Sequence, residues 1–388
     1  MKWLRNTIEV WAYAMRATLL DEGVVVFFVI VPLLYPLLYA YLYNNESVRE
    51  VPTVVVDNSH SQLSREFTRR VDATADVQII SHCQDMEEAK EMIHRRDAYC
   101  LIYIPQDFEK DVAEHRQTVV ELYSDMSGLL YYKAVLSSCT EVSLDMNKEI
   151  KAQLIPGATE EQISVFQYPI EYKYVPMFNT QSGFASFLIP AVLMMIIQQT
   201  MVLGVGMMAG EEREKVRRGI ASKWIIGKNP IEILIGQSTV IFSIYVMIAV
   251  YLVCIVPPLF GLIHIWRWQT LLAFMVPYIA ACTFFSISLS SIAHDRESFI
   301  IMFVFLSIPL LFASGISWPA SNIPIFWKGF SWVFPSTFGI NGYVRITEMG
   351  ATLEDVQHEL NVLWIQTIVY FCISYLVYKR TYGKQLWA

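Results

Sequence analysis

The densest run of ionisable side chains in this sequence is Glu211-Glu212-Arg213-Glu214-Lys215, with Arg217 and Arg218 close behind. Its chemistry is that of contact rather than catalysis. It follows the uncharged apolar run Phe184–Leu203, so it is expected to continue that helix out of a membrane, where a soluble partner could touch it. Lys223 and Lys228 add to the basic residues before the next apolar run, and short basic loops collect on the cytoplasmic side. A solvated loop that merely sets topology would show the same charge pattern.

No catalytic constellation appears elsewhere. His60, His82, His94 and His115 are scattered without an HExxH or paired-ligand pattern and read as surface residues, so no metal site is expected. The sequence has no GxxxxGK[ST], so the chain lacks the phosphate-binding loop needed to hydrolyse ATP. No Asp, Glu, Lys or Arg lies in the middle of an apolar run, although ion-driven carriers place their coupling groups there. Gln198 and Gln199 are the most polar pair within a span. They could line a translocation path or hydrogen-bond between helices. Gly206 and Gly210 form a GxxxG pair that allows close helix approach. Cys254, Cys282 and Cys372 sit in apolar runs and are expected to be buried; Cys83, Cys100 and Cys139 leave room for one disulfide in a polar segment.

The elements that hold these residues follow from composition. Of 388 residues, 54% are hydrophobic and 17% charged, and several uncharged runs reach the length that spans a bilayer. Residues 1–22 have Trp3, Leu4, Ile8, Trp11, Met15 and Leu19 near helical spacing, which predicts an amphipathic helix in the membrane interface. A first, uncleaved span occupies 23–43, with Lys2, Arg5 and Arg16 holding the N-terminus inside. Residues 44–180 alternate short β-branched runs with helical ones and predict an extracytoplasmic α/β domain. Its strands are expected at 52–57, 77–80, 98–104, 118–123 and 166–175, with a helix cap at Asn58-Ser59 and a short helix opening at Pro105. The remainder, 181–388, predicts spans near 184–208, 233–256, 269–293, 298–316 and 362–378. A cytoplasmic loop lies at 209–232, a tight inner turn at His294-Asp295-Arg296-Glu297, and a Trp- and Phe-rich outer re-entrant segment at 314–350. The fold class is thus a polytopic α-helical membrane protein of six transmembrane helices with both termini cytoplasmic and an inserted extracytoplasmic α/β domain.

This order of elements resembles the permease subunits of ABC-2 type transporters, in the branch with a large external domain between the first two spans. Four stretches carry it: VPTVVVDNSHSQLSREF; AYCLIYIPQDFEKDV; GEEREKVRRGIASKWIIGKNPIEILIGQ; and SGISWPASNIPIFWKGFSWVFPSTFGINGYVRI. The third is similar to the acidic-basic stretch that opens the family's ATPase-coupling region, which maps here onto Glu212, Arg213, Glu214 and Lys215; Asn229-Pro230 resembles the turn before its next span. Where the family has Gly-Thr, this chain has Val216-Arg217.

The resemblance implies an inner (plasma) membrane exporter of hydrophobic or amphipathic compounds. It implies two copies of an ABC ATPase subunit, and a second permease copy or related permease. Membrane lipids surround it, a periplasmic adaptor is a further open partner, and no nucleic acid is involved. ATP and Mg would be bound by the ATPase and no cofactor by this chain. A receptor or scaffold whose external domain binds a ligand is the alternative, and six spans exceed what it needs.

Overall fold

The computed structural model describes residues 2–44, 47–153, 175, 177–180, 183–218, 227–265, 267–292, 300, 304, 309–316 and 318–382. The chain divides into two compact units, Met1–Glu46 with Pro176–Ala388, and Ser47–Val175.

The first unit is helical. Among the described residues five helices are long and apolar enough to cross a membrane: Glu22–Leu42, Phe184–Lys215, Pro230–Leu259, Trp268–Ile292 and Gln357–Thr381. The protein is a polytopic helical membrane protein. Of the crossing expected at 298–316 only part is described, and the expected turn at 294–297 lies outside the described residues. The second span is the post of the bundle: 94% of its most apolar window is buried within this one chain, against 28% for the first span and 22% for the last. Two helices, Ile325–Ser331 and Pro335–Thr347, occupy the Pro- and Gly-broken segment before the last span. Proline opens the second of these at its first turn, where a missing N–H costs nothing.

Close packing depends on glycine at particular places. A Cβ on Gly204 would stand 2.1 Å from the ring of Phe28, one on Gly339 2.2 Å from Tyr278, and one on Gly342 2.2 Å from Phe274. The fourth and last spans run side by side in the same direction. Thr367 Oγ1 reaches Pro277 O at 3.4 Å, and further along Ser288 and Ser374 hydroxyls meet at 2.9 Å. Small hydroxyl residues suit such contacts because they let backbones approach and satisfy one another in an apolar medium.

The second unit is an α/β fold with a four-stranded sheet of order β2-β1-β3-β4, built from β1 (Val51–Asp57), β2 (Val77–His82), β3 (Cys100–Ile104) and β4 (Glu121–Ser124). β1 pairs in parallel with both β2 and β3, and β4 closes the edge antiparallel to β3. Being central, β1 is buried on both faces, which is why it reads as an unbroken run of β-branched residues. Val51 and Val55 join Phe67, Val71 and the long helix Leu129–Gln153 on one side; Val54 and Val56 meet Ala89 and Ala98 on the other.

Several expectations shift. The cap of helix Gln62–Asp72 is Ser61, not Asn58-Ser59, because Asp57 Oδ1 accepts from the Ser59 and His60 amides and bends the chain two residues further. Pro105 starts a turn, and the helix begins only at Phe108. β4 spans Glu121–Ser124 rather than starting at Thr118, and the strand expected at 166–175 falls almost wholly outside the described residues. All six cysteines are free; Cys372 is exposed because the last span buries little of itself within the chain, and Cys254, on the half-buried third span, is only partly buried.

Candidate functional site

The site is the end of the bundle where the second span leaves it. The helix runs unbroken from Phe184 to Arg217, so the apolar post and the charged run are one rigid element. Lys215 Nζ pairs with Glu211 Oε1 at 2.6 Å, and Arg218 with Glu214 at 3.6 Å, both one turn apart on the helix. Exposed pairs of this kind stabilise a helix by a few tenths of a kcal/mol each, enough to favour a straight exit over a frayed one. Asp21, which caps the first span by accepting from the Gly23 and Val24 amides, is an electrostatic neighbour of Glu211. Arg213 and Arg217 lie on the same extension.

The far side of the loop is anchored in a different way. Pro230 opens the third span and the Asn229 amide donates to Glu232 Oε2 at 3.0 Å. That carboxylate oxygen also accepts from Asn6 Nδ2 at 3.1 Å, and Glu232 is 3% exposed. Beside it, buried Lys228 pairs with Glu9 at 3.1 Å. One turn further on, a Cβ at Gly236 would stand 2.7 Å from Val10, so glycine lets the N-terminal helix lie directly on the third span.

That helix, Lys2–Leu20, therefore has two faces. Asn6, Val10, Ala14 and Thr18, at four-residue spacing, are buried, whereas Trp3, Leu4, Ile8, Leu19 and Leu20 stay exposed. Helical periodicity in the apolar residues identified the exposed face. Asn6, Glu9, Lys228 and Glu232 hold the other, and the signal that could have found them is polar residues facing a span boundary. Residues 219–226, in the middle of the loop, lie outside the described residues.

The remaining candidates fall deeper. Gln198 is fully buried, and its Oε1 accepts from the Ser336 amide at 2.7 Å. It therefore caps the N-terminus of Pro335–Thr347 from another helix, meeting one of the orphan donors of a helix start. Gln199 is buried beside it, and Thr200 accepts from Tyr245 at 2.9 Å. Gly206 and Gly210 are buried on the same helix, and at Gly204, two residues before the pair, an added side chain would collide with Phe28.

The α/β unit offers the crevice at the C-terminal end of β1 where open α/β sheets bind ligands. There Ser64 Oγ donates to Asp57 Oδ2 at 2.7 Å, Ser64 N to Ser61 Oγ at 3.1 Å, and Leu63 N to Glu109 at 3.4 Å, and a cavity of ≈ 590 Å³ lined by Asp57, His60, Arg65, Arg69 and His82 stays open beside them. Among the described residues no group of three or more His, Cys, Asp and Glu is arranged to hold a metal.

A family profile described as ABC-2 family transporter protein matches residues 23–376. No curated protein matches the chain.

Proposed function

The chain belongs to the ABC-2 family of transporter proteins, and from that premise we propose that it is the membrane permease of an ATP-driven exporter that works with a separate ATPase. The observation that carries the reading is the unbroken helix Phe184–Arg217, whose apolar half is buried among the other spans and whose ion-paired end projects from them. A partner pressing on that end would move a helix that packs against the first, third and fourth spans and against Pro335–Thr347, and a rigid element with two arrangements is what coupling between sites requires. The clasp of Asn6–Glu232 and Glu9–Lys228 ties the N-terminal helix to the same region.

Six crossings are supported by direction. The fourth and last spans are parallel, so the chain between Ile292 and Gln357 has to return once from one end of the bundle to the other. With the basic loop inside, both termini are cytoplasmic and the α/β unit is external. Two permeases and two ATPases would complete the assembly in the plasma membrane, with hydrophobic or amphipathic cargo. Co-purification with a cognate ATPase and reconstitution test this. ATP-dependent export is expected only from the pair, and is lost when the ATPase's phosphate-loop lysine is changed. Gradient-driven uptake by this chain alone would make it a secondary carrier.

A further inference from the structure

The helix Pro335–Thr347 ends at Glu348, and the setting there is a poor one for a charged carboxylate. Glu348 is 9% exposed, its Oε1 is sealed from solvent, and among the described residues its side chain makes no hydrogen bond or ion pair. An ionised carboxylate so placed would be buried without donor or cation, and it would stand at the negative end of a helix. Both effects favour the neutral acid, and burial pushes its pKa up to about 8 from the ordinary 4.5. The chain leaving the third span is strapped down beside it. Ile265 N donates to Thr347 O at 2.7 Å, and a Cβ on Gly350, which turns at φ +65°, would stand 3.4 Å from the Ile265 side chain.

The other ionisable groups at this end are engaged or fixed in charge. On the same helix Arg345 pairs with Glu359 Oε1 at 3.0 Å and donates to Asp355 O at 2.7 Å. The Asp355 carboxylate accepts from the Thr352 amide and hydroxyl, which hold its pKa below the usual range, so it stays ionised. From the chain between the third and fourth spans come Arg267, charged throughout, and His264, whose pKa burial pushes down to about 4 and which is therefore neutral while buried. Tyr343, one turn back, has Glu348 and Cys254 of the third span as electrostatic neighbours, and neither the phenol nor the thiol ordinarily ionises below about pH 8. The group whose buried and solvated forms differ in charge across pH 5–8 without a partner to fix it is Glu348.

We propose that Glu348 is a proton-operated latch on this strap. Protonated, it stays buried and the strap lies closed; giving its proton to water, it turns out to solvent as a carboxylate and the strap lifts. Linkage sets the sign. The closed arrangement holds the proton up to about pH 8 and the open one only up to about 4.5, so opening is favoured as pH rises between those values and levels off beyond them. The proposal rests on the permease reading for one point, that this end of the bundle faces outside, so the pH it answers to is external.

Amide hydrogen exchange of Ile265 reads the strap directly, in the full chain held in nanodiscs without any ATPase and corrected for the chemical exchange rate at each pH. From pH 5.5 to 7.5 the Glu348 proton alone gives a loss of protection of about seventyfold. His264, if released by the same step, acts the other way by about tenfold, so the parent chain should lose at least about sevenfold. His264→Gln should lose the full amount, and Glu354→Gln, an exposed carboxylate nearby, should match the parent. Glu348→Gln should show no loss. Should Glu348→Gln fail to fold, the parent and His264→Gln profiles decide. Protection that does not fall with rising pH in the parent, or that falls equally in the folded Glu348→Gln variant, overturns the proposal. Neither ATP nor sidedness enters the assay, so its result stands apart from the permease reading, which ATP-dependent export decides.

Discussion

Asn6 donates its side-chain amide to Glu232 Oε2 at 3.1 Å, across 226 positions of sequence, and both residues are buried. Glu232 also receives the Asn229 amide, so one carboxylate joins the N-terminal helix, the end of the charged loop and the start of the third span. Removing a donor from a buried charged acceptor costs about 2 kcal/mol, more than an exposed ion pair contributes. Asn6→Ala should therefore lower the thermal midpoint in detergent measurably. Asn6→Asp should lower it further, since two carboxylates would face each other. An unchanged midpoint in both would show that the clasp carries no stability.

Gly204 faces the ring of Phe28 where the first two spans pack together. The added methyl of Gly204→Ala would meet a fully buried ring at 2.1 Å, and overpacking of this kind costs about 1–3 kcal/mol. Gly329→Ala meets nothing within 4 Å and should not destabilise. Phe28→Leu should partly rescue Gly204→Ala, and a full double-mutant cycle by thermal unfolding measures the coupling.

Gln198→Leu removes the acceptor of the Ser336 amide in a fully buried setting. The expected loss is about 1–3 kcal/mol of stability. Gln198→Glu, which keeps an acceptor oxygen, should lose less. Limited proteolysis in the segment 318–334 reports the loosening, and equal protection of all three proteins would show that the cap is dispensable.

Burial pushes the thiols of Cys100 and Cys139 up to about 12. A raised thiol pKa keeps the sulfur protonated, so the reactive thiolate is scarce through pH 7–9 and grows only as pH climbs toward 12. Folded protein should leave both unalkylated by iodoacetamide at pH 8, while denatured protein reacts at once. Rapid native labelling at Cys139 would contradict the packed core of the α/β unit.

Orientation is testable at two exposed positions. With native cysteines replaced, Glu87→Cys in the α/β unit should react with a membrane-impermeant maleimide on intact cells, and Arg218→Cys should not. The reverse pattern would invert the topology and remove the basis for a cytosolic partner.

Much of this was legible in the sequence because it depends on local periodicity and composition. Runs such as Phe184–Leu203 and Val24–Tyr43 could not stay in water, and β1 shows its double burial in PTVVVD before any neighbour is known. The charged run at Glu211–Lys215 was visible as a block. Which of its side chains turns inward was not, because one helix turn separates a cavity wall from an exposed face and the neighbours that decide lie far away in sequence. Tertiary structure alone brought Asn6 to Glu232 and Gln198 to the Ser336 amide, and set Gly204 against the ring of Phe28. Such contacts are set by how spans pack. Apolar helices in an apolar medium gain little from mere contact, so their arrangement is decided by the few polar groups and small residues that must find one another across the bundle.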